Sequence, residues 1–557
     1  MKTILLALLA ILTGLAAAQP ADTVYLNANI HTVDPDNPRA EAIAVREGRI
    51  AAVGSETVVG ELIGPTTAVI DLQGMTVLPG LTDAHAHLTG LGAIQLGVID
   101  LAGTATYEEV IALVRARAAQ EPEGTWILGR GWDHESWPSK TLPNHEMLSN
   151  EVPNHPVVLG RVDGHSNLAN KLAMELAGID RDTANPSGGE VIKDADGEPT
   201  GVFIDNAMSF VNRAVPESAR ARTEDLIIAG QEAALAVGLT GVHDMGSSPG
   251  VVEVYKQLEA DGALKLRMDL ALSAAYAVRY YEENEPYVGD YLTVRAAKLY
   301  MDGAMGSRGA WLLEPYTDRP TDNDGNPYTG LAVMDPERVE FISTHALQKG
   351  YQIRAHAIGD RGNREALDAF ERAAQTTGVD LASARFRVEH AQLLSPADIP
   401  RFGRLGVIAS MQQTHATSDM RWMADRVGNE RVLGGYAWAS LARSGAIIAG
   451  GSDFPVEHHN PFLGFYASIT RQNAQAMPSG GWLPSEKLTR TETLESFTIN
   501  AAYAAFSEDR RGSLEAGKDA DFIVIDRDIM TIEPSGILGT RVLRTVIAGE
   551  TVFELGN

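Results

Sequence analysis

The sequence predicts a (β/α)8 barrel of the TIM type, accompanied by a small discontinuous β-sandwich from both termini and a large insertion after barrel strand 1. Three observations lead there. Apolar, strand-like runs that stop at polar residues alternate with helical patterns through the middle of the chain, as a parallel sheet requires. Eight such runs end near His85, His243, Ser273, Asp302, His356, His390, Gln413 and Asp453, and eight strand–helix units close a barrel. About 150 residues separate the first run from the second, and this gap holds strand-like runs of its own, Trp126-Ile127-Leu128 and Val157-Val158-Leu159.

Taken in order, residues 1–18 read as a cleavable leader. Lys2 gives a positive start, Ile4 to Leu15 an apolar run, and Ala16-Ala17-Ala18 a small-residue cleavage site before Gln19. The expected location is therefore periplasmic or secreted. Residues 19–75 carry short apolar runs broken by turns, such as Ala42-Ile43-Ala44-Val45, and residues 505–557 carry similar ones, such as Phe522-Ile523-Val524-Ile525. The two ends are paired into one composite β-sandwich domain. Residues 76–504 form the barrel, with an inserted subdomain over about 92–222 and helices that include 337–349 and 361–377.

Composition narrows the function classes. The 557 residues are 44% hydrophobic and carry a formal charge of −27. A core of this size is ample, and the charge disfavours nucleic acid and anionic membrane as partners. Past the leader, no run approaches the roughly 20 apolar residues of a membrane helix. A small molecule is the expected partner, with a homo-oligomer left open. There is no cysteine, so any metal is held by His, carboxylate or modified Lys.

Chemistry is expected at the C-terminal ends of barrel strands. Those ends carry His85 with His87, His356, His390 and Asp453, and Lys298 lies in the fourth strand ahead of Asp302. Residues two apart on a strand face the same way, so His85 and His87 point together into the barrel. Neutral imidazoles so placed suit Zn2+ or a similar divalent ion. A phosphate cradle and a G-x-S-x-G serine elbow are both absent. His243 ends the second run, where substrate contact and an orienting role are both open. His458 and His459 read as loop residues, and His134, His145 and His155 as solvated loop histidines.

The run Thr76-Val77-Leu78-Pro79-Gly80-Leu81-Thr82-Asp83-Ala84-His85-Ala86-His87 closely resembles the first-strand signature of the amidohydrolase superfamily. Lys298-Leu299-Tyr300-Met301-Asp302-Gly303, Arg354-Ala355-His356-Ala357-Ile358-Gly359-Asp360, Arg387-Val388-Glu389-His390-Ala391-Gln392 and Gly451-Ser452-Asp453-Phe454-Pro455 resemble its YtcJ-like branch. That branch, amidohydrolase family 3, includes N-substituted formamide deformylases, and the resemblance runs from about Thr23 to the end.

The resemblance implies two Zn2+ ions per chain, bridged by a carboxylated Lys298. His85, His87 and Asp453 would hold one ion, and His356 and His390 the other. A bare lysine facing a metal is repelled, whereas a carbamate is an anionic bridge. Asp453 is implied as the catalytic proton shuttle. Arg308, Trp132, Asp133 and His165 match family positions near the substrate pocket. The expected activity is hydrolysis of amide-type C–N bonds of a small molecule by metal-activated water. Lactone or ester hydrolysis and deamination use the same site, and a non-catalytic periplasmic binding protein is the alternative of another class.

Overall fold

In a computed structural model the described residues are 19–556 apart from Arg220 and Asn323, so the leader expected over 1–18 lies outside them. Eight strands line the barrel: β1 (Leu81–Ala86), β2 (Leu239–Ser247), β3 (Arg267–Ser273), β4 (Leu292–Tyr300), β5 (Gln352–Ala357), β6 (Arg387–His390), β7 (Ile408–Gln412) and β8 (Ile448–Gly451). Each pairs in parallel with the next. Strands β5, β6 and β7 are buried along their whole length, as parallel strands covered by helices must be. The barrel closes just past β8, where the Asp453 amide donates to the His85 carbonyl at 2.7 Å.

Three strand ends differ from expectation. Strand β2 continues four residues past His243 to Ser247, β4 stops at Tyr300, two residues before Asp302, and β8 stops at Gly451, two residues before Asp453. His243 is thus inside the barrel wall rather than at its rim. The helices follow local rules. Helix 336–349 starts on Asp335, whose side chain accepts from the Glu337 amide, has Pro336 in its first turn, and ends on Gly350 at φ 72°.

Two further sheets involve the chain ends. One has the order 550–554, 542–547, 522–525, 76–79, 29–31, 39–40, and the other 49–54, 42–46, 23–26, 68–71. Thr76–Pro79 pairs antiparallel with Phe522–Ile525, Val77 opposite Val524. Tyr25, Ile43, Val45, Phe522 and Val524 share one apolar core, with the Tyr25 and Phe522 rings edge to face at 5.1 Å.

Between β1 and β2 lies a six-stranded sheet of order 189–193, 199–205, 166–169, 157–161, 127–132, 99–100, with its own apolar core around Leu101, Val114, Trp132 and Leu159. Helix 88–95 leads into this subdomain and helix 223–236 leads out. They cross closely on glycines. A Cβ at Gly92 would lie 1.9 Å from the Leu226 carbonyl oxygen, and one at Gly230 would lie 2.5 Å from that of Leu88. Gly92→Ala therefore forces the helices apart and is expected to cost about 1–3 kcal/mol. Thermal unfolding monitored by circular dichroism checks this, and an unchanged midpoint would show that the crossing yields freely.

Candidate metal centre and active site

The C-terminal ends of the barrel strands open into a cavity of about 400 Å3 lined by His85, His87, Lys298, His356, His390 and Asp453. A second cavity of about 540 Å3 adjoins it, sharing His165, His356, His390 and Asp453 and reaching Asp133 and Arg161 of the inserted subdomain. All six residues expected to ligate metal thus face one space. They come from β1, the residue directly after it (His87), β4, β5, β6 and the turn after β8.

Distances within the cluster are short. Asp453 Oδ1 lies 3.2 Å from His87 Nε2 and 3.6 Å from His85 Nε2. Lys298 Nζ lies 3.2 Å from His85 Nε2. The His390 ring is 4.7 Å from that of His85 and 4.5 Å from that of His356. Donor atoms of His85, His390 and Asp453 all fall within 4.8 Å of one another.

Two features let this cluster accept a divalent ion. Asp453 Oδ1 and His356 Nε2 are buried without a hydrogen-bond partner, although buried polar atoms ordinarily have one. Burial also pushes His85, His356 and His390 well below the usual imidazole range, with Lys298 adding to the effect. This favours the neutral ring, the state that ligates metal. Burial brings Lys298 down to about 8. It also pushes Asp453 up, but the imidazoles of His85 and His87 outweigh that and hold it below the ordinary carboxylate range.

The remaining ring nitrogens are fixed from behind. His85 Nδ1 meets Glu389 Oε2 at 2.6 Å and His390 Nδ1 meets Gln412 Oε1 at 2.7 Å, the outer partners that orient metal-binding histidines. Arg387 donates to Glu389 at 3.2 Å and to Ser410 at 2.8 Å, and its other terminal nitrogen lies 2.9 Å from His243 Nδ1. His243 therefore belongs to the polar layer beneath the cluster and lines neither of the two cavities.

The other expected contacts divide. Asp133 and His165 line the cavities, with His165 Nδ1 held 2.6 Å from Asp205. Trp132 is fully buried in the core of the inserted subdomain and donates to the Leu159 carbonyl at 2.8 Å. Arg308 pairs with Asp318 at 2.8 Å beside a separate surface hollow. Neither touches the metal cavity, because a bulge between Arg130 and Trp132 turns Trp132 into the core and Arg308 already has a carboxylate. His134 and His155, expected as solvated loop residues, are 1% and 6% exposed. His134 faces Arg161 and His155 the Thr125 carbonyl.

Sequence reasoning missed Glu389, Gln412, His415 and Arg130. Glu389 was legible in principle, since it lies two residues after Arg387 on the same strand face. Alternation that puts Glu389 inside would put His390 outside. The backbone at His390 instead turns to φ 76°, and that at Asp453 to φ 61°. Such left-handed residues cost of order 1–3 kcal/mol each and cluster at working sites.

The amidohydrolase family model matches residues 68–553, nearly the whole chain and all six cavity residues. The chain belongs to the amidohydrolase family. YtcJ of Bacillus subtilis (strain 168) is 32% identical over 531 residues, 94% of this chain and 98% of its own. The N-substituted formamide deformylase of Arthrobacter pascens is 28% identical over 557 residues, 96% and 99% of the two chains. Among solved structures, a metal-dependent hydrolase from Pyrococcus horikoshii OT3 superposes with a TM-score of 0.74 at 27% identity, covering 92% and 99%. This amidohydrolase is a metal-dependent hydrolase on a TIM-like barrel.

The Glu389–His85 contact generates a direct test. Glu389→Gln keeps the shape but weakens the grip on His85, and it should lower metal affinity about 10–100-fold. Metal titration by calorimetry checks this, with circular dichroism as the control for folding.

Proposed function

We propose that this amidohydrolase cleaves amide-type C–N bonds of a small molecule and that Asp453 is its proton carrier. The observation that carries the reading is the placement of Asp453: buried, with Oδ2 at 3.9 Å from His415 and with Oδ1 at 3.2 Å from His87 yet without a hydrogen-bond partner of its own. The formamide deformylase relative, alike over nearly its full length, supports the amide bond as the target.

His85, His87 and Asp453 would hold one zinc ion, His356 and His390 a second, with Lys298 carboxylated between them. The chemistry supplied by such ions is an acidified water and a polarised carbonyl. The buried lysine supports the carbamate, because an amine brought down to about 8 has more of the neutral form that reacts with CO2. Asp453 accepts the proton of the attacking water and returns it to the leaving nitrogen, which would otherwise depart as an unstable anion. Neighbouring imidazoles keep the Asp453 carboxylate ionised and ready to accept. The leader pattern over residues 1–18 supports export, and the mature protein from the periplasm or medium should then begin at Gln19.

Two measurements test the reading. Metal-loaded protein is assayed against N-formyl, N-acyl, lactone and aminopurine substrates, and Asp453→Asn should lower amide turnover by about 10²–10⁴-fold with the fold intact. Hydrolysis confined to esters or ring amines, or an active Asp453→Asn protein, refutes it. Separately, 13C-bicarbonate should give one carbamate resonance that Lys298→Ala abolishes.

A further inference from the structure

Arg130 lies on strand 127–132 of the inserted subdomain and lines the metal cavity together with His87, His165 and Asp453. The only hydrogen bond of its side chain among the described residues is from Nη2 to the Val162 carbonyl at 3.3 Å. Nη1 is buried and has no partner. The carboxylates that act on it from a distance are Asp453, Asp100 and Asp163, and each is engaged elsewhere. Asp453 faces His85 and His87, Asp163 pairs with Arg161 and accepts from the His165 amide, and Asp100 accepts from the Ala102 amide.

The backbone is built to aim this side chain. Pairing with strand 157–161 loses register between Arg130 and Trp132, and a bulge of this kind re-aims a side chain. Gly131 between them has φ 106°, and a Cβ there would lie 2.7 Å from the Ala102 amide nitrogen. Trp132 consequently goes into the core of the subdomain while Arg130 lines the cavity. A buried guanidinium nitrogen left without a partner is costly, and the planar fork matches a carboxylate in two parallel hydrogen bonds.

We infer that Arg130 binds a carboxylate carried by the substrate, so that the amides hydrolysed are N-acylated or N-formylated amino acids and related carboxylated amides. This rests on the amide reading above, yet its binding test is independent of turnover. A cavity of about 400 Å3 is of the size that encloses one small ligand, so one molecule can face the metal cluster at its amide and Arg130 at its carboxylate.

The probes are N-formylglycine, N-formylleucine in both configurations, and their neutral carboxamides. Calorimetry on the zinc-loaded protein should give at least about tenfold tighter binding of one or more acids than of the matching carboxamide. Arg130→Gln should bring that ratio close to one, and Arg130→Lys should restore part of it. In turnover, the ratio of kcat/KM for acid over carboxamide should collapse in Arg130→Gln through KM. Equal binding of every acid and its carboxamide by the parent protein overturns the inference, as does a preference that survives Arg130→Gln. Acid-selective binding without hydrolysis of any probe refutes the amide reading and leaves the role of Arg130 standing.

Discussion

The hydrogen bond from the Asp453 amide to the His85 carbonyl, 2.7 Å long, joins the end of the last barrel strand to the first. The cluster depends on that closure. Directly below it, Asp83 accepts from the Ser452 amide and from the His85 amide, and the Ser452 hydroxyl donates to it at 2.6 Å. Ser452 and Asp83 are 369 positions apart in sequence, so no local segment can assemble the cluster before the barrel closes. Burial pushes Asp83 up to about 7 even with these donors in place. A side chain there that could not accept three hydrogen bonds would leave buried donors unpaired exactly where the two strands meet, at a cost of about 1–3 kcal/mol for each.

Beneath the cluster the barrel is filled by charge where apolar layers are usual. Arg354 pairs with Asp269, Arg387 contacts Glu389 and Ser410, and His243 leans on Arg387. Buried ion pairs of this kind add little net stability, because desolvation offsets their attraction. What they supply is position. Glu389 can hold His85 only because Arg387 keeps Glu389 ionised against burial, and Arg387 is itself fixed by Ser410 on the neighbouring strand. The left-handed backbone at His390 and Asp453 adds strain that the closed barrel must hold, so these two residues sit where packing forces them and not where local preference would put them.

Much of this was legible in the sequence. Eight runs ending in polar residues mark the barrel strands, and His85, His87, Lys298, His356, His390 and Asp453 all line one cavity, because catalytic groups gather at the rim where those runs end. The misses have a common cause. Polar residues after His243 mark a strand end in the sequence, whereas pairing with β3 carries β2 on to Ser247. The orientations of Trp132 and Arg308 are decided by the partners they meet in the fold, Leu159 and Asp318. An isolated arginine in a strand, such as Arg130, has no sequence signature. What marks Arg130 is a buried nitrogen without a partner, which is a property of the folded cavity alone.

The division of labour between barrel and insertion follows from how each is held. Barrel strands fix the His, Lys and Asp cluster, while the insertion supplies Arg130, Asp163 and His165 to the same space. This subdomain has its own apolar core and is tied down on two sides. The glycine crossing of helices 88–95 and 223–236 anchors its base, and ion pairs Arg421–Asp133 and Arg426–Glu135 bind its outer edge to the segment after β7. Groups presented by a packed sheet lose little further freedom when a ligand arrives, so less of the binding energy is spent on ordering them. A cavity walled in this way selects by the charge and length of a molecule that must reach from the metal cluster to the sheet, and variation in the sheet can change the substrate without disturbing the cluster.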